Sequence, residues 1–228
     1  MDCRSEDRRK QIVEEYNVVP KAHIKLLAGQ EKISDAGGKI EREYYIFEAT
    51  PKESGNREII LCGMGAARDF LKLLNHKGLP VFNPLHGEGG CADGGPQGGE
   101  EADGHDNGDP QRGDGGRGGR NPEWNPIARQ LYHACMWVII IIDANGGTPI
   151  FEIQERVYNF RDREPFESQI KGVNTIIMRN LQGRTLTEAI DELRADNRIR
   201  DGLCQFNMLE DIIINARDKA GNPIQSYF

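Results

Sequence analysis

Residues 57–85 read REIILCGMGAARDFLKLLNHKGLPVFNPL, and the rest of the chain is organised around them. An apolar run at 58–62 is followed by a turn that contains Gly63 and Gly65. Beyond the turn, apolar residues recur at spacings of three and four, which predicts an amphipathic helix over about 66–74. A phosphate-cradling unit requires this order of strand, glycine turn and helix.

The segment just before this stretch predicts a second strand. Residues 43–50 read EYYIFEAT and are rich in aromatic and β-branched residues, which favour strands. The polar loop 51–56 that joins them to 58–62 is short. A short loop favours an antiparallel hairpin over a crossover, so the two strands are expected to pair directly.

Prolines limit the structure on either side of this hairpin. Pro80 and Pro84 exclude residues 79–85 from a central strand, because proline cannot donate to a sheet ladder. This run is therefore expected to be an extended edge or an ordered packing loop. Upstream, Pro20 interrupts the chain, and one or two helical turns are expected over 22–27.

A glycine-rich, polar segment divides the chain into three parts. Residues 88–120 hold eight acids and three arginines, so they carry −5 of the formal net charge of −7. They have almost nothing apolar to bury, which predicts disorder. The expected parts are an α+β part at 1–85, a disordered acidic insert at 86–122 and a helical part at 123–228. The folded parts are nearly neutral, which gives no electrostatic case for broad contact with nucleic-acid phosphates.

The C-terminal half predicts a series of helices joined by short loops. Apolar residues recur with helical spacing over 127–143, although 137–142 is also a candidate strand. Thr148-Pro149 is a typical helix start, and Thr185 with Glu188 forms a capping box. Asn207 with Glu210 repeats that start signal. The fold class expected is α+β with a mainly helical, bundle-like C-terminal half.

The cysteine pattern and the hydropathy favour a cytoplasmic protein. Five scattered cysteines without a CxxC pair suit a reducing compartment. The N-terminus MDCRSEDRRK lacks the apolar core of a signal peptide. The longest apolar run, 134–142, is far shorter than the ~20 residues that span a bilayer, so no membrane contact is expected.

The glycine turn is the first candidate ligand-binding site, with Cys62, Gly63, Gly65 and Arg68 as its residues. Such a turn exposes backbone N–H groups at a helix start, where the dipole favours an anion. The turn resembles the start of the dinucleotide-binding fingerprint GxGxxG/A. Arg68 occupies the position of the last small residue, and residues 81–83 lack the acid expected there. The alternative is a tight turn packed under a sheet.

Cys62 is also considered as a nucleophile and as a metal ligand. A thiol just before a helix can have a lowered pKa, and its base would come from His76, His86 or His133. Together Cys62, His76, His86 and Cys91 would suit zinc, and the hairpin resembles a treble clef without its first cysteine pair. The ligand spacing is irregular, so no metal is assigned. The alternative for Cys62 is a small buried hydrophobe.

Two further segments carry residues of chemical interest. His133, Cys135 and Trp137 cannot form one cluster on a helix, because alternate positions do not face each other. They would share a face only in a strand, and core packing is expected. Residues 112–120, RGDGGRGGR, resemble arginine–glycine segments that bind RNA, but the surrounding acids favour a solvated linker.

The acids at 188–196 alternate with arginines, which indicates a salt-bridged solvent face. A basic patch is the alternative. Its members would be Lys171, Arg179, Arg194, Arg198 and Arg200.

Three functional hypotheses follow. No Ser/His/Asp order, HExxH motif, Walker loop or paired metal motif occurs in the sequence. The first hypothesis is therefore an intracellular non-catalytic protein that binds a partner protein or itself. The second is a nucleotide- or phosphate-binding enzyme or regulator that uses residues 62–68. The third is nucleic-acid binding by the C-terminal helices. The sequence identifies no cofactor.

Overall fold

A computed structural model of the protein describes residues 1–86, 123–144 and 147–228. It confirms the α+β class with a mainly helical C-terminal half. The predicted disordered insert at 86–122 lies, apart from His86, outside the described residues. The elements are α1 (Glu6–Glu15), β1 (Tyr16–Lys25), β2 (Glu43–Pro51), β3 (Glu58–Gly63), α2 (Met64–Leu73), α3 (Pro126–Ile142), α4 (Pro149–Asn159), α5 (Glu167–Asn180), α6 (Leu186–Leu193), a short 3-10 turn (Asp201–Leu203) and α7 (Asn207–Asn215).

The three strands form an antiparallel sheet in the order β1-β2-β3. The predicted hairpin of β2 and β3 is confirmed, with Tyr45 opposite Cys62. Strand β2 lies in the centre, and residues 44–49 are all buried. The aromatic and β-branched composition of β2 suits this position, because both of its faces are covered.

Strand β1 corrects one prediction. The helical turns expected over 22–27 are wrong, because the strand continues through Pro20 to Lys25. The ladder shifts register between Pro20 and Ala22, which is a β-bulge. One extra residue turns the following side chains to the opposite face of the sheet. Val18 therefore packs on one face, and Ala22 on the other.

The extra residue at the bulge, Lys21, is a buried cation. Its Nζ lies 3.5 Å from the carboxylate of buried Glu48 on β2 and 2.5 Å from that of Glu155 on α4. Arg57 lies 4.0 Å from Glu48 and 2.7 Å from Glu152, also on α4. Because a buried charge needs partners, this network fixes α4 against the sheet.

Residues 79–85 form the extended edge that their prolines predict. Phe82 pairs in parallel with Ile24 of β1. Its N–H donates to the carbonyl of His23 at 2.8 Å, and its carbonyl accepts from the N–H of Lys25 at 3.0 Å. Prolines 80 and 84 flank this one pairing, so neither has to donate to the sheet.

The sheet lies between two helical layers. On one face, Phe47 packs with Ile12 of α1 and Phe70 of α2. On the other face, Tyr44 and Ile46 belong to one large buried cluster with side chains from helices α3 to α7. The parts predicted at 1–85 and 123–228 therefore share a core, while the exact boundaries between them stay a prediction.

The ends of the helices show how local signals act. Helix α3 continues unbroken to Ile142, so the alternative strand at 137–142 is wrong. The capping box of Thr185 and Glu188 at α6 is confirmed. The capping box predicted at Asn207 and Glu210 is wrong, because Phe206 is the N-cap of α7, Asn207 is its first helical residue and no side chain of the helix itself caps it. Gln130 of α3 instead accepts from the N–H of Met208 at 3.0 Å and donates to the side chain of Asn207.

Within the described ranges, none of the helices combines the length and apolarity needed to cross a lipid bilayer.

Candidate functional site

The predicted glycine turn borders an open cavity of about 480 Å3, which we call the turn cavity. Gly63 is the N-cap of α2, and no side chain caps the helix there. The first amides of α2 are therefore available to an anion, as expected for an uncapped helix start. The lining residues are Ser34, Ala36, Gly37, Lys39, Ile40, Glu41, Arg42, Glu43, Gly63, Met64, Gly65, Ala66 and Arg68.

Charges of both signs surround the turn cavity. Arg42 and Arg68 are exposed, and neither forms an ion pair with another described residue. Lys39 is already bound to Glu31 at 2.5 Å. Glu43, which also lines the cavity, lies 3.3 Å from the ring of His23. The two guanidinium groups are the free cations that an anion would meet here.

The resemblance to the dinucleotide fingerprint is local. A Cβ atom on Gly65 would meet nothing within 4 Å, and one on Gly63 would meet only Ile40 at 3.9 Å. Neither glycine is therefore required by a close approach, whereas the fingerprint uses its glycines for that purpose. The fingerprint also belongs to a parallel βαβ unit, and β3 is instead the edge strand of an antiparallel sheet.

Cys62 is separated from the rest of the predicted site. Its side chain is fully buried on the α1 and α2 face of the sheet, and it is not among the described residues that line the turn cavity. Burial, with smaller effects of Cys3 and Asp35, raises the pKa of the Cys62 thiol. An activated nucleophile needs the opposite shift. The structure thus brings Gly63, Gly65 and Arg68 together without Cys62.

The other predicted ligands and bases lie apart. His76 is exposed beyond α2, and its Nδ1 accepts from the N–H of Gly78 at 2.9 Å. His86 is exposed, and its N–H donates to the carbonyl of Arg198. Cys91 lies outside the described residues. In the parts of the chain that the structure covers, no three His, Cys, Asp or Glu side chains are arranged to hold a metal ion.

The three residues of interest on α3 have different environments. Cys135 and Trp137 are fully buried, and the indole N–H of Trp137 donates to the carbonyl of Leu203 at 2.9 Å. His133 is half-buried beside the rings of Phe82 and Tyr132. Burial, with smaller contributions from nearby arginines, lowers the pKa of His133 to about 4. The imidazole is therefore neutral near pH 7.

The acidic helix α6 is partly neutralised by arginines, as its pattern indicates. Arg184 binds Glu192, and Arg194 lies 2.9 Å from Asp201. Of the five cations in the alternative basic patch, Arg194 is thus paired, and Lys171 lies 2.7 Å from Glu167. The arginine–glycine segment at 112–120 lies outside the described residues.

A second site, which the sequence reasoning missed, lies where α4 ends and α5 begins. We call it the corner surface. Phe160 ends α4 with a side chain that is 52% exposed, and Phe166 precedes α5 with a side chain that is 68% exposed. Both rings border an apolar cavity of about 350 Å3. The lining residues are Ala128, Arg156, Val157, Phe160, Arg163, Glu164, Pro165, Phe166 and Gln169.

Arginines surround the corner surface. No ion pair engages Arg156, Arg161 or Arg163 anywhere among the residues described. The guanidinium carbon of Arg163 lies 5.6 Å from the ring centroid of Phe160, and that of Arg161 lies 5.3 Å from the ring of Tyr158. These cation–π contacts hold the arginines near the rings without neutralising their charge.

One sequence signal does point to the corner surface. The stretch 159–166, NFRDREPF, places two phenylalanines and two arginines in a loop between predicted helices. Phenylalanines in a loop are not explained by the apolar stripe of either helix. Their exposure, however, depends on how α4 and α5 meet, and periodicity does not report that.

The chain was compared with known proteins. Over residues 1–227 it matches the family model described as "Uncharacterised conserved protein UCP028583". The chain belongs to this family. The match extends over the sheet and the seven α-helices of the described residues, so the turn cavity and the corner surface both lie within the family's span. The comparisons with curated proteins and with solved structures give no match.

Proposed function

We propose that this protein is a non-catalytic binding protein that docks a partner protein on the corner surface. The observation that carries the proposal is that two exposed rings, Phe160 and Phe166, line one apolar cavity. Single exposed apolar residues are common on protein surfaces. Two aromatic rings that flank a cavity are a typical feature of interaction sites.

The energetics support the same proposal. Fully burying a phenylalanine side chain is worth about 1.5–3 kcal/mol relative to leaving it in water. A partner that covers Phe160 and Phe166 would recover part of this free energy. Interface centres are also enriched in aromatic residues and arginine, and Arg156 and Arg163 border the cavity beside these rings.

A cytosolic location remains part of this proposal. It rests on the scattered cysteines of the sequence. Each of the four cysteines within the described residues has a free thiol, and no disulfide joins any two of them.

Site-specific photo-cross-linking tests the proposal. A photoreactive amino acid replaces Phe166 in one variant and Ile214 of α7 in a matched control. Ile214 is 57% exposed and does not belong to the corner surface. In cells that make the protein naturally, the variant at position 166 is expected to give an adduct of discrete mass, and the variant at 214 is not. An adduct of twice the chain mass would assign the partner to a second copy. Equal labelling at both positions, or none, would refute the proposal.

The turn cavity supports a second candidate function, phosphate or nucleotide binding. The specific observation is that the uncapped start of α2 and two unpaired arginines, Arg42 and Arg68, border the same open cavity. Backbone amides and guanidinium groups are the two groups that most often bind phosphate.

Thermal unfolding with added ligands tests this second function. Inorganic phosphate, pyrophosphate and nucleoside triphosphates are each titrated against the wild type, because a ligand of the folded state raises its Tm by mass action. The increase is expected to be smaller for Arg68→Gln and unchanged for Arg179→Gln, which alters an exposed arginine far along α5. If no phosphate ligand changes the wild-type Tm, the turn cavity is not an anion site.

A further inference from the structure

We infer that the corner surface recognises an acidic protein segment with one large apolar side chain, which enters the cavity that Phe160 and Phe166 line. This inference rests on the proposed function and adds the chemistry of the partner. Three properties of the site carry it: the size of the cavity, the charge at its rim and the hydrogen-bonded backbone at Phe160 and Phe166.

The cavity is suited to a single apolar group. Its volume of about 350 Å3 lies at the small end of ligand pockets in proteins, which measure roughly 300–1,000 Å3. Val157 and Ala128 are buried lining residues, and Pro165 contributes a third apolar wall. An aromatic or long aliphatic side chain placed here would contact these apolar residues and displace water from both phenylalanine rings.

The charge at the rim selects carboxylates. Arg156 and Arg163 line the cavity, and the guanidinium carbon of Arg161 lies 5.3 Å from the ring centroid of Tyr158. Among the described lining residues, Glu164 supplies the only carboxylate, and no ion pair neutralises these arginines. Guanidinium groups bind carboxylates through paired hydrogen bonds, so acids on either side of the apolar anchor would find partners.

The two ends of the loop are held in place before any partner binds. The N–H of Phe166 donates to the side chain of Gln169 at 2.9 Å, and the N–H of Gln169 donates back to the carbonyl of Phe166 at 2.8 Å. The N–H of Phe160 donates to the carbonyl of Arg156 at 3.1 Å. A site whose backbone is already fixed loses less entropy on binding.

A protein segment fits these properties better than a nucleic acid does. A nucleic-acid strand would bring one negative charge per nucleotide to folded parts that are nearly neutral, so its phosphates would far outnumber the arginines of the corner surface. A peptide can supply the apolar group that the cavity requires together with only two or three carboxylates. The structure therefore favours a peptide segment, and a nucleic acid becomes one outcome of the test.

Selection from a random 12-residue peptide library displayed on phage, with the full-length protein as target, tests the inference. Bound phage are counter-selected against Phe166→Ser, and the enriched peptides are then synthesised for measurement of Kd. The enriched peptides are expected to share one aromatic or long aliphatic residue with acids nearby. The double variant Arg156→Gln/Arg163→Gln is expected to weaken their binding about tenfold or more, while Arg179→Gln leaves Kd unchanged. Binding should also weaken as salt is added.

The other outcomes separate the inference from the proposed function. The selected peptides could need Phe166 but lack acids, or bind the double arginine variant as well as the wild type. Either result would refute an acidic partner but would still support a docking function of the corner surface. A 12-nucleotide oligouridylate is tested as well. If its binding depends on Phe166 and is tighter than that of any selected peptide, the ligand of the corner surface is a nucleic acid and the inference is wrong. If no peptide depends on Phe166, both the inference and the proposed function fail. Folding of each variant is verified by its circular dichroism spectrum and Tm.

Discussion

Gly65 occupies the first turn of α2 without using the conformational freedom of glycine. It does not adopt a positive φ, and an added Cβ would meet nothing within 4 Å. The substitution Gly65→Ala is therefore expected to raise the free energy of unfolding by about 0.5–1 kcal/mol, because alanine loses less backbone entropy on folding. Urea denaturation measures the change.

Gly78 provides the opposite case. Its φ is +92°, and an added Cβ would lie 3.0 Å from the hydroxyl of Tyr45. Gly78→Ala should therefore destabilise the protein, since both the backbone and the space disfavour a side chain. If Gly65→Ala proves as destabilising as Gly78→Ala, the turn at the start of α2 is not as the structure places it.

His133 predicts how stability depends on pH. Burial, and to a smaller extent the nearby Arg129 and Arg200, lower the pKa of His133 to about 4, below the value of about 6.5 expected in an unfolded chain. The unfolded state therefore binds a proton first as the pH falls. The stabilisation is complete above about pH 6.5 and is lost progressively towards pH 4, by on the order of 2–3 kcal/mol.

Urea denaturation at several pH values checks this prediction. The variant His133→Gln should show a flatter decline between pH 7 and pH 4 than the wild type. His76→Gln, at an exposed position, should follow the wild type. An NMR titration that places the pKa of His133 at or above 6.5 would contradict the prediction.

The contact between β1 and α4 depends on the buried cation at the bulge. Replacing Lys21 by Met leaves the buried carboxylate of Glu48 with only Arg57, at 4.0 Å. We expect Lys21→Met to cost about 3 kcal/mol, because one partner of a buried pair is removed. The double variant Lys21→Met/Glu48→Gln should recover part of that loss, since no buried charge then remains unpaired.

A double-mutant cycle by urea denaturation at pH 7 measures the coupling. The exposed pair of Lys39 and Glu31 serves as the control, and Lys39→Met should change stability by less than about 1 kcal/mol. Equal effects of Lys21→Met and Lys39→Met would show that Lys21 is not buried in solution.

The elements that local sequence could predict are those whose signals lie within a few residues. The capping box at Thr185, the start of α4 at Pro149 and the aromatic run of β2 were all predicted correctly. Strand β1 was not, because the bulge reverses the alternation of buried residues and places a lysine inside. The cap of α7 comes from Gln130, and no local pattern encodes so distant a partner.

The candidate sites likewise differ in how far their residues are separated along the sequence, and only the local one could be predicted. The glycine turn is a local motif, and the structure keeps Gly63, Gly65 and Arg68 together at one cavity. The side chain of Cys62 is buried between the sheet and the helices α1 and α2, so it is not among the described residues that line this cavity. The corner surface depends on the angle between two helices and on which rings stay exposed, and these are properties of tertiary packing.

The whole molecule is expected to unfold in one step, because one buried cluster joins both sides of the undescribed segment. Both tryptophans, Trp124 and Trp137, lie in the helical part, so their fluorescence reports on it. Cys62, buried in the N-terminal part, reports on the sheet through its rate of labelling by a thiol reagent. The two probes should give the same urea midpoint.

Phe82 offers a sharper form of this prediction. It lies in the N-terminal part and contacts Trp137 edge to face, with ring centroids 5.9 Å apart. Phe82→Ala should therefore lower both midpoints by the same amount, as expected for a cost of about 3 kcal/mol at a buried phenylalanine. A variant in which only the tryptophan transition moves would indicate two independently folding units.

The bulge in β1 has a consequence at the level of the gene. One added residue decides which helical layer Ala22 and Ile24 pack against. An in-frame loss of codon 20 or 21 would remove that residue. The side chains on one side of the deletion, either 16–19 or 22–25, would then face the opposite layer. Natural length variation in the family should therefore avoid this codon pair, even where the side chains around it differ.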